Sequence, residues 1–116
     1  MIQVVDDEFD IVNVTKFFLQ DIGLNVFGFT DPLLALKHFH INCEKYGLVV
    51  SDIGMPRMNG YEFVKQVKKI NPKVKIILMS AFEIHHKEFH NVLPDIKIDA
   101  FLQKPFHIQQ LEEAIK

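Results

Sequence analysis

Leu48-Val49-Val50-Ser51-Asp52 is an apolar run that ends on a carboxylate, and the turn Ile53-Gly54-Met55-Pro56-Arg57-Met58-Asn59-Gly60 follows it directly. The run has the length and composition of a buried strand in a parallel sheet, and the proline and glycines of the turn end that strand. A charge at the end of a buried strand is costly unless a cation or a ligand lies beside it. The position of Asp52 therefore indicates a binding site at this end of the strand.

Short apolar runs alternate with helical patterns along the rest of the chain. The other strands are predicted at 2–5, 25–29, 74–79 and 100–103. Apolar residues at helical spacing predict the buried face of each helix. These faces are Ile11, Val14, Phe18 and Ile22 in the first helix; Leu33, Leu36 and Phe39 in the second, which follows an N-cap at Asp31-Pro32; Phe63, Val64, Val67 and Ile70 in the third; and Ile108, Leu111 and Ile115 in the last. A further short helix is expected at 85–92. This alternation predicts an α/β fold, a doubly wound five-stranded parallel sheet in the flavodoxin-like order 2-1-3-4-5 with helices on both faces.

Polar side chains follow four of the five predicted strands. Asp6 and Asp7 follow the first strand, Asp52 ends the third, Ser80 follows the fourth and Lys104 follows the fifth. In this topology the ligand crevice lies outside the carboxyl ends of strands one and three. We therefore expect these five side chains to converge on one edge of the sheet.

Three carboxylates in one place raise each other's pKa unless a cation joins them. Mg²⁺ suits such an all-oxygen site, because it takes one or two carboxylates, keeps several waters and completes its shell with phosphate oxygen. Asp7 and Asp52 are the expected direct ligands, and Asp6 is expected to hold a metal-bound water. The main-chain carbonyl of Gly54 is a further candidate ligand.

The other polar groups favour phosphate chemistry at the same edge. Lys104 can meet a phosphate as a point charge, and the Ser80 hydroxyl can donate to a phosphate oxygen. A carboxylate can also act as a nucleophile toward phosphorus and form an aspartyl phosphate. Metal and lysine together would stabilise the charge on the equatorial oxygens during transfer.

Four segments, in order and with suitable spacing over the whole chain, resemble the receiver domain of two-component response regulators, the chemotaxis receivers among them. They are Val4-Val5-Asp6-Asp7-Glu8, Ser51 to Gly60, Met79-Ser80-Ala81 and Gln103-Lys104-Pro105-Phe106. The resemblance implies that Asp52 is the phosphoacceptor, charged from the phosphohistidine of a sensor histidine kinase or a histidine phosphotransfer protein. It also implies that Asp6 and Asp7 are the acidic pair that binds Mg²⁺, with Gly54 as main-chain ligand.

The same resemblance implies a conformational switch. Ser80 matches the hydroxyl that moves toward the phosphoryl group, Lys104 matches the lysine that pairs with it, and Phe101 stands at the switch aromatic position. The Lys104-Pro105 bond is similar to one that is often cis in the family. The partner surface would be the face of the fourth helix, fifth strand and last helix. It would be read by an output domain or a separate partner protein, and a phosphorylation-dependent homodimer stays open.

Composition bounds the remaining functions. The 116 residues are expected to form one domain, 1–116, and the start in a strand and stop within a helical pattern would also suit a piece of a longer protein. Thirteen basic and fifteen acidic residues give a net charge of −2, which argues against direct nucleic-acid binding. A single cysteine, no membrane-spanning run and no signal peptide predict a soluble cytoplasmic location with no membrane partner.

Two other functions fit parts of the sequence. The first is a pseudo-receiver used only for binding, which the presence of Asp52 and Lys104 disfavours. The second is an aspartyl-phosphate phosphohydrolase, which would need an aspartate two residues after the nucleophile, where this chain has Gly54. We therefore expect no enzyme beyond self-phosphotransfer. Self-dephosphorylation should be slow, because Gly54 and Phe82 offer no polar side chain to orient water.

Two local alternatives remain, one for the acidic run after the first strand and one for three histidines outside the main hypothesis. The run Asp6-Asp7-Glu8 would also suit a cap for the first helix, since acids favour a helix N-terminus. His86 and His90 lie four residues apart, beside His85, which would suit a transition metal if a third ligand came close. We expect these histidines to be solvated instead, because no cysteine or paired acid completes such a site.

Overall fold

The computed structural model describes residues 1–81 and 96–115. A parallel five-stranded sheet runs in the order β2-β1-β3-β4-β5. Its strands are β1 (Ile2–Val5), β2 (Val26–Phe29), β3 (Leu48–Asp52), β4 (Lys75–Ser80) and β5 (Ala100–Gln103). Its helices are α1 (Phe9–Asp21), α2 (Pro32–Ile41), α3 (Gly60–Ile70) and a C-terminal helix (Ile108–Ile115). The predicted fold class and strand order are confirmed, while the helix expected at 85–92 lies outside the described residues.

Two apolar cores lie on opposite faces of the sheet. Phe39 of α2 and Phe63 of α3 belong to one core. Leu19 of α1 and Leu111 of the C-terminal helix belong to the other. Because the sheet is covered on both sides, alternate residues of β3 enter different cores, and the strand reads as a continuous apolar run.

The buried face of α1 differs from the predicted one. The buried residues of α1 are Val12, Thr15 and Leu19, whereas Val14 is 61% exposed and Ile22, just after the helix, is 45% exposed. The prediction was wrong because apolar residues cover most of the circumference of α1, so their spacing fits two neighbouring faces equally well. A small polar residue, Thr15, occupies the side that faces the sheet.

Two other predicted core positions are also partly exposed. Leu33 in α2 and Ile108 at the start of the C-terminal helix are each 44% exposed. Both stand in the first turn of their helix, where the backbone has only begun to approach the sheet. Leu111 in the C-terminal helix is buried as predicted, as is Phe39 in α2.

Local chemistry fixes where α2 and α3 begin. The Asp31 carboxylate accepts a hydrogen bond from the Leu33 amide at 2.9 Å, so the predicted N-cap of α2 is confirmed. The Asn59 side chain caps α3 in the same way, accepting from the Glu62 amide at 3.0 Å. A Cβ on Gly60 would lie 2.3 Å from the main-chain oxygen of Asp52. This glycine therefore allows α3 to start directly against the end of β3.

In residues 1–81 and 96–115, each helix is too short or too polar to cross a bilayer.

Candidate functional site

The three aspartates predicted to converge do so at the carboxyl edge of the sheet. Val5 of β1 pairs with Ser51 of β3, so the residues that follow, Asp6 and Asp52, emerge side by side. One carboxylate oxygen from each of Asp6, Asp7 and Asp52 lies within 4.8 Å of the other two. Asp6 is fully buried and Asp52 is 5% exposed, whereas Asp7 is exposed. The cluster therefore has a buried floor and opens to solvent on the side of Asp7.

Lys104 reaches into this cluster from the end of β5. Its Nζ lies 2.5 Å from Oδ2 of Asp6 and 3.4 Å from Oδ1 of Asp52, and its side chain is only 10% exposed. The Lys104 amide donates to the main-chain oxygen of Ser80 at 2.7 Å, which ties the lysine to the end of β4. The bond from Lys104 to Pro105 is cis, as expected. The ammonium thus bridges the two buried carboxylates.

Burial perturbs the acids of the cluster. Burial, helped by the neighbouring Asp6 carboxylate and opposed by Lys104, raises the pKa of Asp52 to about 6. The pKa of Asp6 is also raised, again mainly by burial. Burial would lower the pKa of Lys104, but its close ion pair with Asp6, helped by Asp52, raises it overall. One ammonium therefore compensates the cluster's negative charge only in part.

The donor set fits a hard divalent cation. The three carboxylates supply oxygen only, and within residues 1–81 and 96–115 no cysteine or histidine joins them, which suits Mg²⁺. Oδ2 of Asp6 is buried and, although it faces the Lys104 ammonium, accepts no hydrogen bond of good geometry. A buried, under-satisfied carboxylate oxygen beside excess negative charge is what a bound cation would stabilise.

Ser80 lies on β4, the strand next to the one that ends at Asp52. Phe101 lies on β5, the strand that leads to Lys104. Ser80 is the buried last residue of β4 and pairs with Gln103, the residue before the lysine. Phe101 is partly buried in β5 and packs against the core on the side of α2 and α3. Both residues are therefore placed to link the edge of the sheet to its interior, and their switching role stays a prediction.

Gly54 lies in the exposed turn two residues beyond Asp52. A Cβ placed there would meet no heavy atom within 4 Å. The position accordingly has room for a larger side chain next to the cluster. Its role as a main-chain metal ligand stays a prediction.

Three contacts around the site were not predicted. The Glu8 amide donates to Oδ1 of Asp6 at 2.9 Å, and the Glu8 carboxylate lies 3.6 Å from the Lys104 ammonium. Arg57, in the turn after Asp52, has a positive φ of 70° and forms a 2.9 Å ion pair with Asp31 at the start of α2. The adjacency of Glu8 to the acidic pair was a visible signal, but nothing local pairs Arg57 with a residue 26 positions earlier.

Known proteins share this sequence pattern and this fold. The family model of the response regulator receiver domain matches residues 2–116. The alkaline phosphatase synthesis transcriptional regulatory protein PhoP of Bacillus subtilis is 31% identical over 116 residues, which cover 99% of this chain and 46% of PhoP. The response regulator protein TodT of Pseudomonas putida is 27% identical, with 100% of this chain and 49% of TodT covered. The chain therefore spans about half the length of these curated relatives.

Solved structures agree with the sequence match. A response regulator receiver domain protein from Clostridium thermocellum superimposes with a TM-score of 0.86 and 28% identity, covering 98% of this chain and 89% of the other. The response regulator protein TrrA from Thermotoga maritima, in complex with Mg(2+)-BeF, gives a TM-score of 0.83 and 30% identity, covering 98% and 94%. With the matched segments, the strand order and the clustered acids in agreement, this chain belongs to the response regulator receiver domain family.

Proposed function

We propose that the chain is a phosphoacceptor module of a two-component phosphorelay, in which Asp52 accepts a phosphoryl group. The observation that carries the proposal is the contact of one lysine, Lys104, with both Asp6 and Asp52 inside a cluster of three carboxylates. A purely structural cluster would be expected to balance its buried charges, whereas this one has an excess of negative charge and an opening to solvent. Those are the features that a cation and a phosphoryl donor require.

The proposed transfer is a substitution at phosphorus, in which one bond forms and one bond breaks. A carboxylate oxygen of Asp52 forms the new bond to phosphorus, and the bond from phosphorus to the imidazole nitrogen of a phosphohistidine breaks. The leaving nitrogen takes up a proton and becomes a neutral imidazole. Lys104 lies 3.4 Å from Asp52 and is placed to pair with an oxygen of the phosphoryl group. Ser80, at the end of the next strand, is the second candidate donor.

Mg²⁺ is the proposed cofactor, held by Asp6, Asp7 and Asp52 with the main-chain oxygen of Gly54. Bound there, it would neutralise the acids and stabilise the charge of the transferred group. The similar TrrA structure in complex with Mg(2+)-BeF supports this choice of ion. The open side at Asp7 gives the ion and its waters a route to the buried floor.

The output is proposed to be a population shift, and the module is not expected to turn over a substrate. New contacts of the phosphoryl group with Ser80 and Lys104 would favour one arrangement of the β4 end, and Phe101 on β5 would respond. The phosphoryl donor would be a sensor histidine kinase or a histidine phosphotransfer protein in the cytoplasm. The reader would be an output domain or a partner protein, and a phosphorylation-dependent homodimer is one form that this reading could take.

Intact mass spectrometry after incubation with acetyl phosphate and Mg²⁺ tests the proposal. We expect one added phosphoryl group in the wild type, none in Asp52→Asn, and an unchanged adduct in Asp10→Asn, a control at an exposed carboxylate of α1. Addition of EDTA should abolish the adduct. No adduct under any of these conditions would favour a binding-only module. Release of phosphate by catalytic turnover without an adduct would favour a phosphohydrolase.

A further inference from the structure

A second charged feature lies at the end of α3 remote from Asp52. A cleft of about 420 Å³ opens there between α3 and the segment that leads into β5. Four lysines and two apolar residues line this lysine cleft, namely Lys65, Lys68, Lys69, Lys97, Pro72 and Ile96. None of the six lining residues is acidic, so the cleft concentrates positive charge in a chain whose net charge is −2.

Three of these lysines belong to α3, and the repulsion between them destabilises that helix. Lys65, Lys68 and Lys69 are spaced i, i+3 and i+4, so they lie on one face of α3 and repel one another. The preceding acid, Glu62, forms no ion pair with these lysines within 4.0 Å, and its carboxylate accepts a hydrogen bond from Gln66 at 2.9 Å. Within residues 1–81 and 96–115, no carboxylate lies within 4.0 Å of any of these three ammonium groups.

The fourth lysine is also poorly compensated. The Lys97 ammonium lies 3.9 Å from Asp99, at the outer limit of an ion pair, and its side chain is 83% exposed. The other oxygen of Asp99 is engaged in the sheet, where it accepts a hydrogen bond from the Ile76 amide at 2.8 Å. Among the residues that the structure describes, one weakly held carboxylate therefore faces four positive charges.

Lys68 gives the cleft a fixed donor. Its ammonium donates to the main-chain oxygen of Val74 at 2.6 Å and to that of Pro72 at 3.3 Å. Burial lowers the pKa of this lysine, while the Asp99 carboxylate opposes the shift and the Lys97 charge, to a smaller extent, adds to it. An anion at this position would remove part of the repulsion between Lys68 and Lys97.

The helix dipole accounts for part of the charge but not all of it. Lys68 and Lys69 stand in the last turn of α3, where cations interact favourably with the carboxyl end of a helix. Lys65 lies one turn earlier, and Lys97 comes from a different segment altogether. The convergence of charges from two parts of the chain on one concave surface indicates a ligand.

We propose that the lysine cleft is a second anion-binding site, which takes a compact oligophosphate, a chain of two or more linked phosphate groups. The charges surround a cleft and do not run along a stripe, which suits a short, highly charged anion better than a long polymer. Several phosphate oxygens can meet several ammonium groups at once, each as a charge-assisted contact. Pro72 and Ile96 give the cleft an apolar part, so the same phosphate chain could belong to an inorganic anion or to a nucleoside.

Amide chemical-shift titration of the whole chain tests this site. The probes are inorganic triphosphate, ATP and a single-stranded oligonucleotide, each in EDTA so that the acidic cluster takes no metal. We expect saturable shifts at residues 65–69 and 96–97 with triphosphate, and a binding constant that falls steeply as NaCl rises from about 0.05 M to about 0.5 M. Tighter binding of ATP would identify the nucleoside form, and equal binding would identify the inorganic form.

Charge variants separate a site from general attraction to lysines. The triple variant Lys65→Gln, Lys69→Gln and Lys97→Gln leaves the hydrogen-bonded Lys68 in place and should bind triphosphate at least about tenfold more weakly. The matched control replaces Lys16, Lys37 and Lys45 by glutamine and should bind as the wild type does. A variant with arginine at the three cleft positions should keep binding. Equal weakening in the cleft and control variants, absence of saturation, or binding of the oligonucleotide alone would overturn the proposal.

Discussion

Replacing Asp52 by asparagine should stabilise the metal-free fold. A pKa of about 6, against the ordinary 3.8, means that ionised Asp52 is disfavoured in the folded chain relative to the unfolded one. At about 1.4 kcal/mol per pH unit, the difference corresponds to about 3 kcal/mol. Asparagine removes this cost, in which the attraction to Lys104 is already included, but it does not reproduce every contact of the protonated acid, so we expect a gain of about 1–3 kcal/mol at about pH 7. For a domain of this size, the melting temperature should rise by about 4 °C per kcal/mol.

The pH dependence gives the sign of the effect. The pKa of Asp52 is higher in the folded chain than in the unfolded chain, so this group contributes fully to the stability of the wild type below about pH 4. That contribution to stability is lost as the pH rises through about 6. The gain from Asp52→Asn should therefore vanish at low pH and grow across this interval. Urea denaturation in EDTA, followed by circular dichroism, measures it. Asp10→Asn, at an exposed site, should show no such growth, and an Asp52→Asn variant no more stable than the wild type at about pH 7 would refute the reasoning.

Three further variants test the surroundings of the cluster. Gly60→Ala should lower the free energy of unfolding in urea by about 3 kcal/mol, because its Cβ would lie 2.3 Å from the Asp52 main-chain oxygen. The control Gly47→Ala would meet no heavy atom within 4 Å and should change the free energy of unfolding by less than about 1 kcal/mol. Lys104→Met leaves the buried acids without their cation and should lower the free energy of unfolding in EDTA by about 3 kcal/mol. Part of that stability should return when the melt is repeated with Mg²⁺. Gly54→Asn should speed phosphate loss from the phosphorylated chain, timed by mass spectrometry, since the open space there admits a side chain that can orient water; an unchanged rate would argue against this role.

The sheet and its polar edge could be predicted because both depend on local signals. Each strand is a short apolar run with a turn after it, and the carboxyl ends of parallel strands share one edge. Once the order 2-1-3-4-5 is assumed, Asp6 and Asp52 must be neighbours, and the pairing of Val5 with Ser51 brings them together. Lys104 follows from the same reasoning applied to β5.

The orientation of α1 could not be predicted in the same way. Its apolar residues fit two faces, and the choice between Val14 and Val12 as the buried residue depends on how the helix meets β1 and β2. The ion pair between Arg57 and Asp31 has the same origin, because it joins two turns that only the folded sheet brings together. Charge excess in the lysine cleft was hidden by a net charge near zero, which averages over opposite ends of the molecule.

The cost of holding Asp52 ionised and the stabilisation available from a bound ion are of similar size. A ligand present at a hundred times its dissociation constant stabilises the folded state by about 2.7 kcal/mol, against the cost of about 3 kcal/mol derived from the pKa of Asp52. Metal binding would therefore offset most of the instability that the acidic cluster introduces. The ionised form of the buried Asp52 carboxylate would then depend on the bound ion for its stability. Since Asp52→Asn removes the cost in the absence of metal, adding Mg²⁺ should narrow the difference in stability between the variant and the wild type, and a difference that stays constant across a Mg²⁺ titration would show that the ion does not act through Asp52.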